Sequence, residues 1–463
     1  MTTAEIDIEV LRSAVDGVVI TPADPDYDTA RQVWNGGIDR RPAVIIRPAS
    51  AAGVAAAVLA ARRYNLEITV RGGGHNYAGH AVADDAMMID LRALDSITVD
   101  TDAKLAHIGG GATWAQADAA TSAHGLGVTG GFISTTGVGG LTLGGGMGWL
   151  TMRCGLSCDN LVAAEVVTAD GRVVVASPRE NAELLWGLRG GGGNFGIVTT
   201  LTFTLHDVPS LAQLAMLCWT PERAAEGLAA GRELIAGLPK GYGGVIMAVS
   251  APPAPFVPEH YQGQPGFVVG VAGFSDPDEL EAIVKPLRAA APAPAWELVT
   301  PLPYTALQQM FDESAPPGLH AYEKSLYVDD LSDACLATLI STFPRRRSPL
   351  TLVPIFPLRG RYSETHEDTT AFSGSRNPCW AINISAITPD PADFASERQW
   401  TRDFWDALRP YANSSASYVN FLVDDDPARL QESYGEKYSR LTALKAEWDP
   451  DNIFHHNANI PPV

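Results

Sequence analysis

Three consecutive glycines, Gly72, Gly73 and Gly74, stand between Arg71 and His75, directly after the β-type stretch Leu66 to Val70. Without Cβ atoms the backbone can approach something bulky, and it can take φ > 0 so that successive N–H groups converge on an anion. Arg71 is expected to place positive charge at the mouth of this loop, and Asn76, Gly79 and His80 continue it. The run reads as a seat for a large anionic group.

Glycine clusters recur at Gly137-Val138-Gly139-Gly140-Leu141-Thr142-Leu143-Gly144-Gly145-Gly146-Met147-Gly148-Trp149, at Gly155 to Asn160 and at Gly190 to Val198. The last contains a formal Gly-x-Gly-x-x-Gly at Gly191, Gly193 and Gly196. A dinucleotide fingerprint follows a strand and opens a helix. Here the helical stretch Asn181 to Leu188 precedes the glycines and the strand Ile197 to Leu205 follows, so a nicotinamide-dependent dehydrogenase is disfavoured. No Walker A sequence and no Gly-x-Ser-x-Gly elbow occurs.

Before the first loop, Ala43 to Arg47 reads as a strand, Ser50 as the cap of a helix Ala51 to Tyr64, and Glu67 to Val70 as a returning strand. Met87 to Asp90 and Leu105 to Ile108 add strands, and Thr113 to His124 a helix ending at Gly125. Leu161 to Thr168 and Arg172 to Ala176 read as a hairpin through Asp170-Gly171, which suits a type I′ turn. Beyond Pro209 the glycine clusters stop. Strands are expected at Leu214 to Trp219, Gly244 to Ser250, Phe267 to Phe274, Leu350 to Phe356 and Cys379 to Ile387. Helices are expected at Glu222 to Leu238, Asp278 to Ala289, Leu331 to Phe343 and Phe394 to Leu408.

The motif Arg-x-Gly-Gly-His-x-x-x-Gly at Arg71 to Gly79, with the clusters above and Tyr418-Val419-Asn420-Phe421, resembles the vanillyl-alcohol-oxidase superfamily, and more closely its berberine-bridge-enzyme-like branch. The resemblance implies an α+β fold: a two-part PCMH-type FAD-binding domain and an antiparallel-sheet substrate domain flanked by helices. The expected boundaries are 1–208 for the first FAD-binding part, 209–412 for the substrate domain and 413–463 for the returning segment. FAD is the implied cofactor, bonded through His75 to the flavin 8α-methyl. The implied cofactor-binding residues are Arg71, Gly72, Gly73, Gly74, His75, Asn76, Gly79 and His80 in the first loop, and Ser134, Thr135, Gly137, Gly139, Gly140, Gly144, Gly145 and Trp149 in the second. Gly196, Ile197, Val198, Asn420, Asn457 and Asn459 complete the set. Doubly linked relatives attach a cysteine in Gly-x-Cys-Pro-Thr-Val, where this chain has Gly131-Phe132-Ile133-Ser134-Thr135-Thr136. Ile133 has no nucleophile, so a single link is expected.

The implied reaction is hydride transfer from an alcohol, or another activated C–H of a sugar, polyketide or alkaloid-like substrate, to flavin N5, with O2 reduced to H2O2. A hydroxynicotine-type amine oxidase and a flavin-binding relative without turnover are the alternatives. Many relatives carry Tyr-x-Asn-Tyr with the second tyrosine as base; Phe421 occupies that slot, and a phenyl ring takes no proton. Tyr418 is therefore the first candidate for the catalytic base, ahead of Tyr304, Tyr322, Tyr327, Tyr362 and His320.

The net charge of −20 disfavours nucleic acid and anionic membrane as partners. Met1 to Gly17 has neither the basic nor the apolar region of a secretory signal, and no run is long enough to span a bilayer. A cytoplasmic monomer or homodimer is expected, in keeping with bacterial secondary metabolism. The 5 cysteines form no disulfide framework. Cys154 and Cys158 lack Cys-x-x-Cys spacing, and no metal is expected.

Overall fold

The computed structural model describes residues 6–314, 316–414, 416–424 and 426–463. Its first part holds two sheets around a shared core. Four strands lie in the order Gly17–Ile20, Val44–Pro48, Met87–Asp90, Ile68–Arg71, the first pair antiparallel and the rest parallel. Parallel strands need a crossover. The helix Ala51–Tyr64 supplies it, opened by Ser50 Oγ accepting from Gly53 N–H at 3.1 Å and closed by Asn65 in the left-handed region at φ 53°. Asparagine tolerates that conformation better than most residues. Val54 and Val58 on its inner face are fully buried, each contributing about 1.5–3 kcal/mol of apolar burial.

That helix packs against both this sheet and the antiparallel sheet Ile97–Asp100, Leu105–Gly109, Ile197–Thr204, Leu161–Val167, Val173–Ala176. The expected hairpin is present, but its turn is not type I′. Asp170 has no positive φ, Gly171 does at +80°, and Gly171 N–H bonds Thr168 O while Thr168 N–H bonds Arg172 O. This is a three-residue turn closed by a left-handed glycine, because the extra residue Ala169 leaves just one position needing φ > 0.

The third sheet has seven antiparallel strands in the order Trp296–Pro303, Leu211–Trp219, Pro265–Gly273, Tyr242–Ser250, Val353–Leu358, Cys379–Thr388, His320–Val328. Helices Ala224–Ala236, Pro277–Ala290, Asp333–Thr342 and Pro391–Leu408 lie in chain order between or after its strands, and their apolar residues share a core with one sheet face. Along Leu211–Trp219, Ala215, Leu217 and Trp219 point to those helices while Leu214, Met216 and Cys218 point the other way. Burial on both faces explains the continuous apolar runs. Both edge strands, Trp296–Pro303 and His320–Val328, escape the sequence expectation, and the strand expected from Leu350 begins at Val353.

From Val419 the chain returns to the first part. Leu441 and Leu444 of the helix Tyr438–Trp448 share a core with Leu184, Leu188 and Phe195. Among the described residues no helix is long and apolar enough to cross a membrane.

Candidate active site

Between the glycine loops and the free face of the seven-stranded sheet lies a cavity of about 1100 Å³. That exceeds the roughly 300–1,000 Å³ of an ordinary ligand pocket. One lobe is walled by backbone: Gly72, Gly73, Gly74, Gly139, Gly140, Gly192 and Gly193. The other is walled by apolar side chains, among them Phe132, Met216, Met247, Trp296, Phe311 and Phe356.

The glycine lobe exists because backbones meet there. A Cβ on Gly73 would fall 2.3 Å from Gly137 N, and one on Gly137 2.3 Å from Gly73 N. No other residue type allows this approach at either position. The Gly190–Gly196 loop is held from behind by the fully buried Lys445, whose ammonium donates to Asn194 O at 2.8 Å, Phe454 O at 3.0 Å and Asp449 Oδ2 at 2.6 Å. Asn194 donates to Gly191 O and Ala458 O and accepts from Ile460 N–H. The loop and the C-terminal segment thus form one wall, on which Asn457 stands.

At the junction of the two lobes, the His75 and Tyr77 rings both stack on Trp34, with centroids 5.6 Å and 4.8 Å away. Thr135 Oγ1 lies 2.9 Å from His75 Nε2. Burial pushes the His75 pKa down to about 4, so the imidazole is neutral near pH 7 and keeps a nitrogen lone pair. Tyr418, buried, lines the same cavity. Its oxygen accepts from Gly146 N–H and from Asn420 Nδ2, each at 2.7 Å. Phe421 meets the Tyr418 ring edge-on, centroids 4.8 Å apart.

Residues 42–177 match the FAD binding domain family, and residues 417–461 the family described as berberine and berberine like. The (R)-6-hydroxynicotine oxidase of Paenarthrobacter nicotinovorans is 30% identical over 466 residues, covering 97% of this chain and 97% of that protein. The chain belongs to the berberine-bridge-enzyme-like family of FAD-linked oxidoreductases. In keeping with this, the crystal structure of 6-hydroxy-D-nicotine oxidase from Arthrobacter nicotinovorans superposes with a TM-score of 0.85 at 26% identity, covering 97% of this chain and 98% of that one. A glucooligosaccharide oxidase of Acremonium strictum, with a 6-S-cysteinyl, 8α-N1-histidyl FAD, shares the fold with a TM-score of 0.86 at 22% identity over 99% of this chain and all of that one.

The residues of this berberine-bridge-enzyme-like chain fit FAD. A Cβ added at Gly140 or Gly193 would meet no protein atom within 4 Å, so these backbones face open cavity. Asn457, on the wall, has a buried Oδ1 without a protein partner. Among the described residues no lysine or arginine lines the cavity, which leaves backbone N–H groups to meet a pyrophosphate.

Of the residues expected from sequence, Gly72, Gly73, Gly74, His75, Asn76, His80, Gly137, Gly139, Gly140, Gly196, Ile197, Val198, Tyr418, Asn420 and Asn457 line the cavity. The others support it from outside. Arg71 is not at the mouth: it is buried behind the loop, donating to Ala30 O at 2.7 Å, and burial lowers its pKa to about 10. Gly79 abuts Ile38, and a Cβ on Gly145 would strike Phe372. Gly144 makes room for Asn420, with a Cβ there falling 2.0 Å from Asn420 Oδ1. Ser134 is tied to Asp312 through its N–H and hydroxyl, at 2.8 Å and 2.6 Å. Thr135 touches His75, Trp149 packs between Phe132 and Phe311, and Asn459 lies off the wall.

The alternative bases stand elsewhere. Tyr304 reaches toward Asp118, Tyr322 donates to Asp424, Tyr362 donates to Ser375 O, Tyr327 is buried off the cavity and His320 packs on Phe394. Sequence reasoning passed over Glu323, Asn383 and Ser385, which face the cavity from the edge of the sheet. The signal available was weak: a glutamate at an alternating position in His320 to Val328.

Proposed function

We propose that the protein is an FAD-dependent oxidase of small organic molecules, with the cofactor carried on a single bond from His75. When bound, FAD supplies the hydride acceptor at N5, and O2 then returns it to the oxidised form with release of H2O2. The neutral imidazole supports the attachment, since a protonated ring has no lone pair to bond. Ile133 removes the second attachment point, and Cys154 and Cys158 offer none. Burial pushes Cys154 up to about 12 and Cys158 higher still, leaving both as thiols.

The observation that carries this reading is that Tyr418 and His75 line the same cavity. Two N–H groups occupy its lone pairs, so its own O–H is left to donate to a substrate oxygen. Burial raises its pKa above the ordinary tyrosine value. We therefore assign Tyr418 as a hydrogen-bond donor to substrate rather than the base expected from sequence. The likeness to hydroxynicotine oxidases keeps an amine substrate as a second reading.

The test is direct. Acid-precipitated protein should stay yellow, and turnover should consume O2 and form peroxide without NAD or NADP. Colourless protein, or strict dependence on another electron acceptor, overturns the reading.

A further inference from the structure

The substrate lobe offers little polar surface. The sheet face contributes Met216, Val245, Met247, Val268 and Phe356, with Phe132, Phe311 and Phe421 opposite. Against this stands one compact polar group. Glu323 pairs directly across the strands with Ser385, and Ser325 with Asn383, which puts Glu323, Asn383 and Ser385 on one face. Asn383 Nδ2 donates to Glu323 Oε2 at 2.9 Å, and Tyr77 OH lies 3.2 Å from Ser385 Oγ. Among the described residues, Glu323 is the one buried acid on the wall; Glu313 is exposed.

The strand is registered against the His75 loop. Asn35 donates to both Tyr77 O at 2.7 Å and Ala321 O at 2.9 Å, two residues from Glu323. Ser325 and Ser417 hydroxyls are hydrogen-bonded to each other, which brings the strand to the segment bearing Tyr418. The Glu323 charge is near enough to Tyr77 and to Tyr418 to help hold both phenols protonated. The neighbours Tyr322 and Lys324 bond Asp424 instead. Among the described residues no cation compensates Glu323; burial holds its pKa up at about 8 and the Asn383 bond draws it down only in part.

We propose, resting on the oxidase reading above, that Glu323 is the base of the reaction and that the substrate is a largely apolar, ring-sized alcohol presenting one hydroxyl to it. The substrate O–H bond breaks, its proton forms an O–H on the Glu323 carboxylate, and the electron pair remains on the substrate oxygen. That pair becomes the second C–O bond as the carbinol hydride leaves to the bound flavin, from which O2 would take two electrons and one proton, the second proton of H2O2 being the one held by Glu323, which returns to its carboxylate. A hydroxyl can accept from Tyr418 and donate to Glu323 at once; a neutral tertiary amine can accept from Tyr418 but has no N–H to give Glu323. A sugar is disfavoured because the apolar walls leave most of its remaining hydroxyls without partners, each costing about 1–3 kcal/mol when buried so.

The experiment compares 2-naphthalenemethanol, cellobiose and 6-hydroxynicotine as reductants of the anaerobic holoenzyme, in wild type, Glu323→Gln and Glu323→Ala. The expected result is fastest reduction by the aryl alcohol, rising with pH through about 8 in wild type. Glu323→Gln should be slower by on the order of a hundredfold without that rise, and Glu323→Ala should recover rate with added acetate. Infrared difference spectra, independent of turnover, should show a protonated-carboxyl band titrating through about 8 in wild type that is missing from Glu323→Gln, while any band of the buried Asp118, which burial raises to about 7, stays in both. An unshifted pH profile in Glu323→Gln, no wild-type carboxyl band that this variant lacks, or preference for cellobiose or the amine overturns this proposal while leaving the oxidase reading intact. Failure of every reductant, with no bound flavin, overturns that reading instead.

Discussion

The Asn420 side-chain amide donates to the Tyr418 hydroxyl at 2.7 Å and to Leu141 O at 3.0 Å, in space that exists because Gly144 has no Cβ. The second donation fixes which end of the amide faces Tyr418, so Asn420 and one missing methyl orient the hydroxyl that we propose meets the substrate. Tyr418→Phe should slow anaerobic flavin reduction by about a hundredfold, the usual effect of losing one aimed donor, while reoxidation by O2 stays nearly unchanged. Gly144→Ala should slow the same step by displacing Asn420, without releasing the flavin. Stopped-flow traces at the flavin absorbance separate the two half-reactions.

His75→Ala should release the flavin on acid precipitation, and peptide mapping of the wild type should find one flavin-bearing peptide, containing His75. A flavin-bearing peptide with Cys154 or Cys158 would show that a thiol buried with a pKa of about 12 or above had nonetheless reacted.

Lys445→Met removes the ammonium that three oxygens share and leaves Asp449 charged in a fully buried site. Breaking such a pair typically costs about 3–5 kcal/mol. The variant should lose that stability in chemical denaturation and hold noncovalent FAD weakly when combined with His75→Ala, because the Gly190–Gly196 loop loses its anchor. An unchanged midpoint would mean that Asp449 finds another partner.

Glu323 should also be visible as a stability effect. Its pKa is raised from the ordinary 4.5 to about 8 in the fold, so the folded state binds the extra proton between those values. Its contribution is fully present below about 4.5, falls as pH rises, and is lost once pH passes about 8, at up to 1.36 kcal/mol per pH unit. Glu323→Gln has no such slope. Its melting temperature relative to wild type should climb from pH 6 to 8 and level off above. Parallel melting curves would place the wild-type carboxyl in its ordinary range.

What the sequence determined alone was local. Ser50 predicts the start of a helix because capping is decided within three residues. Gly191 to Gly196 predicts no dinucleotide fold because the helix and strand flanking it are themselves readable. The glycines around His75 predict a backbone wall because a missing Cβ is a property of the residue, not of its surroundings. The edge strands were lost for the converse reason. Trp296–Pro303 carries two prolines and His320–Val328 a glutamate and a lysine, tolerated because an edge strand pairs on one side only. Arg71 and Glu323 show the limit most plainly. Arg71 sits beside the loop in sequence yet turns away to Ala30, and Glu323 alternates with Tyr322 and Lys324 like any exposed edge. Which face such a charge takes is settled by strand register, since a shift of one residue reverses every side chain. That register depends on Asn383 and Ser385, some sixty residues away along the chain, so the buried carboxyl that the chemistry needs became visible only once the sheet was assembled.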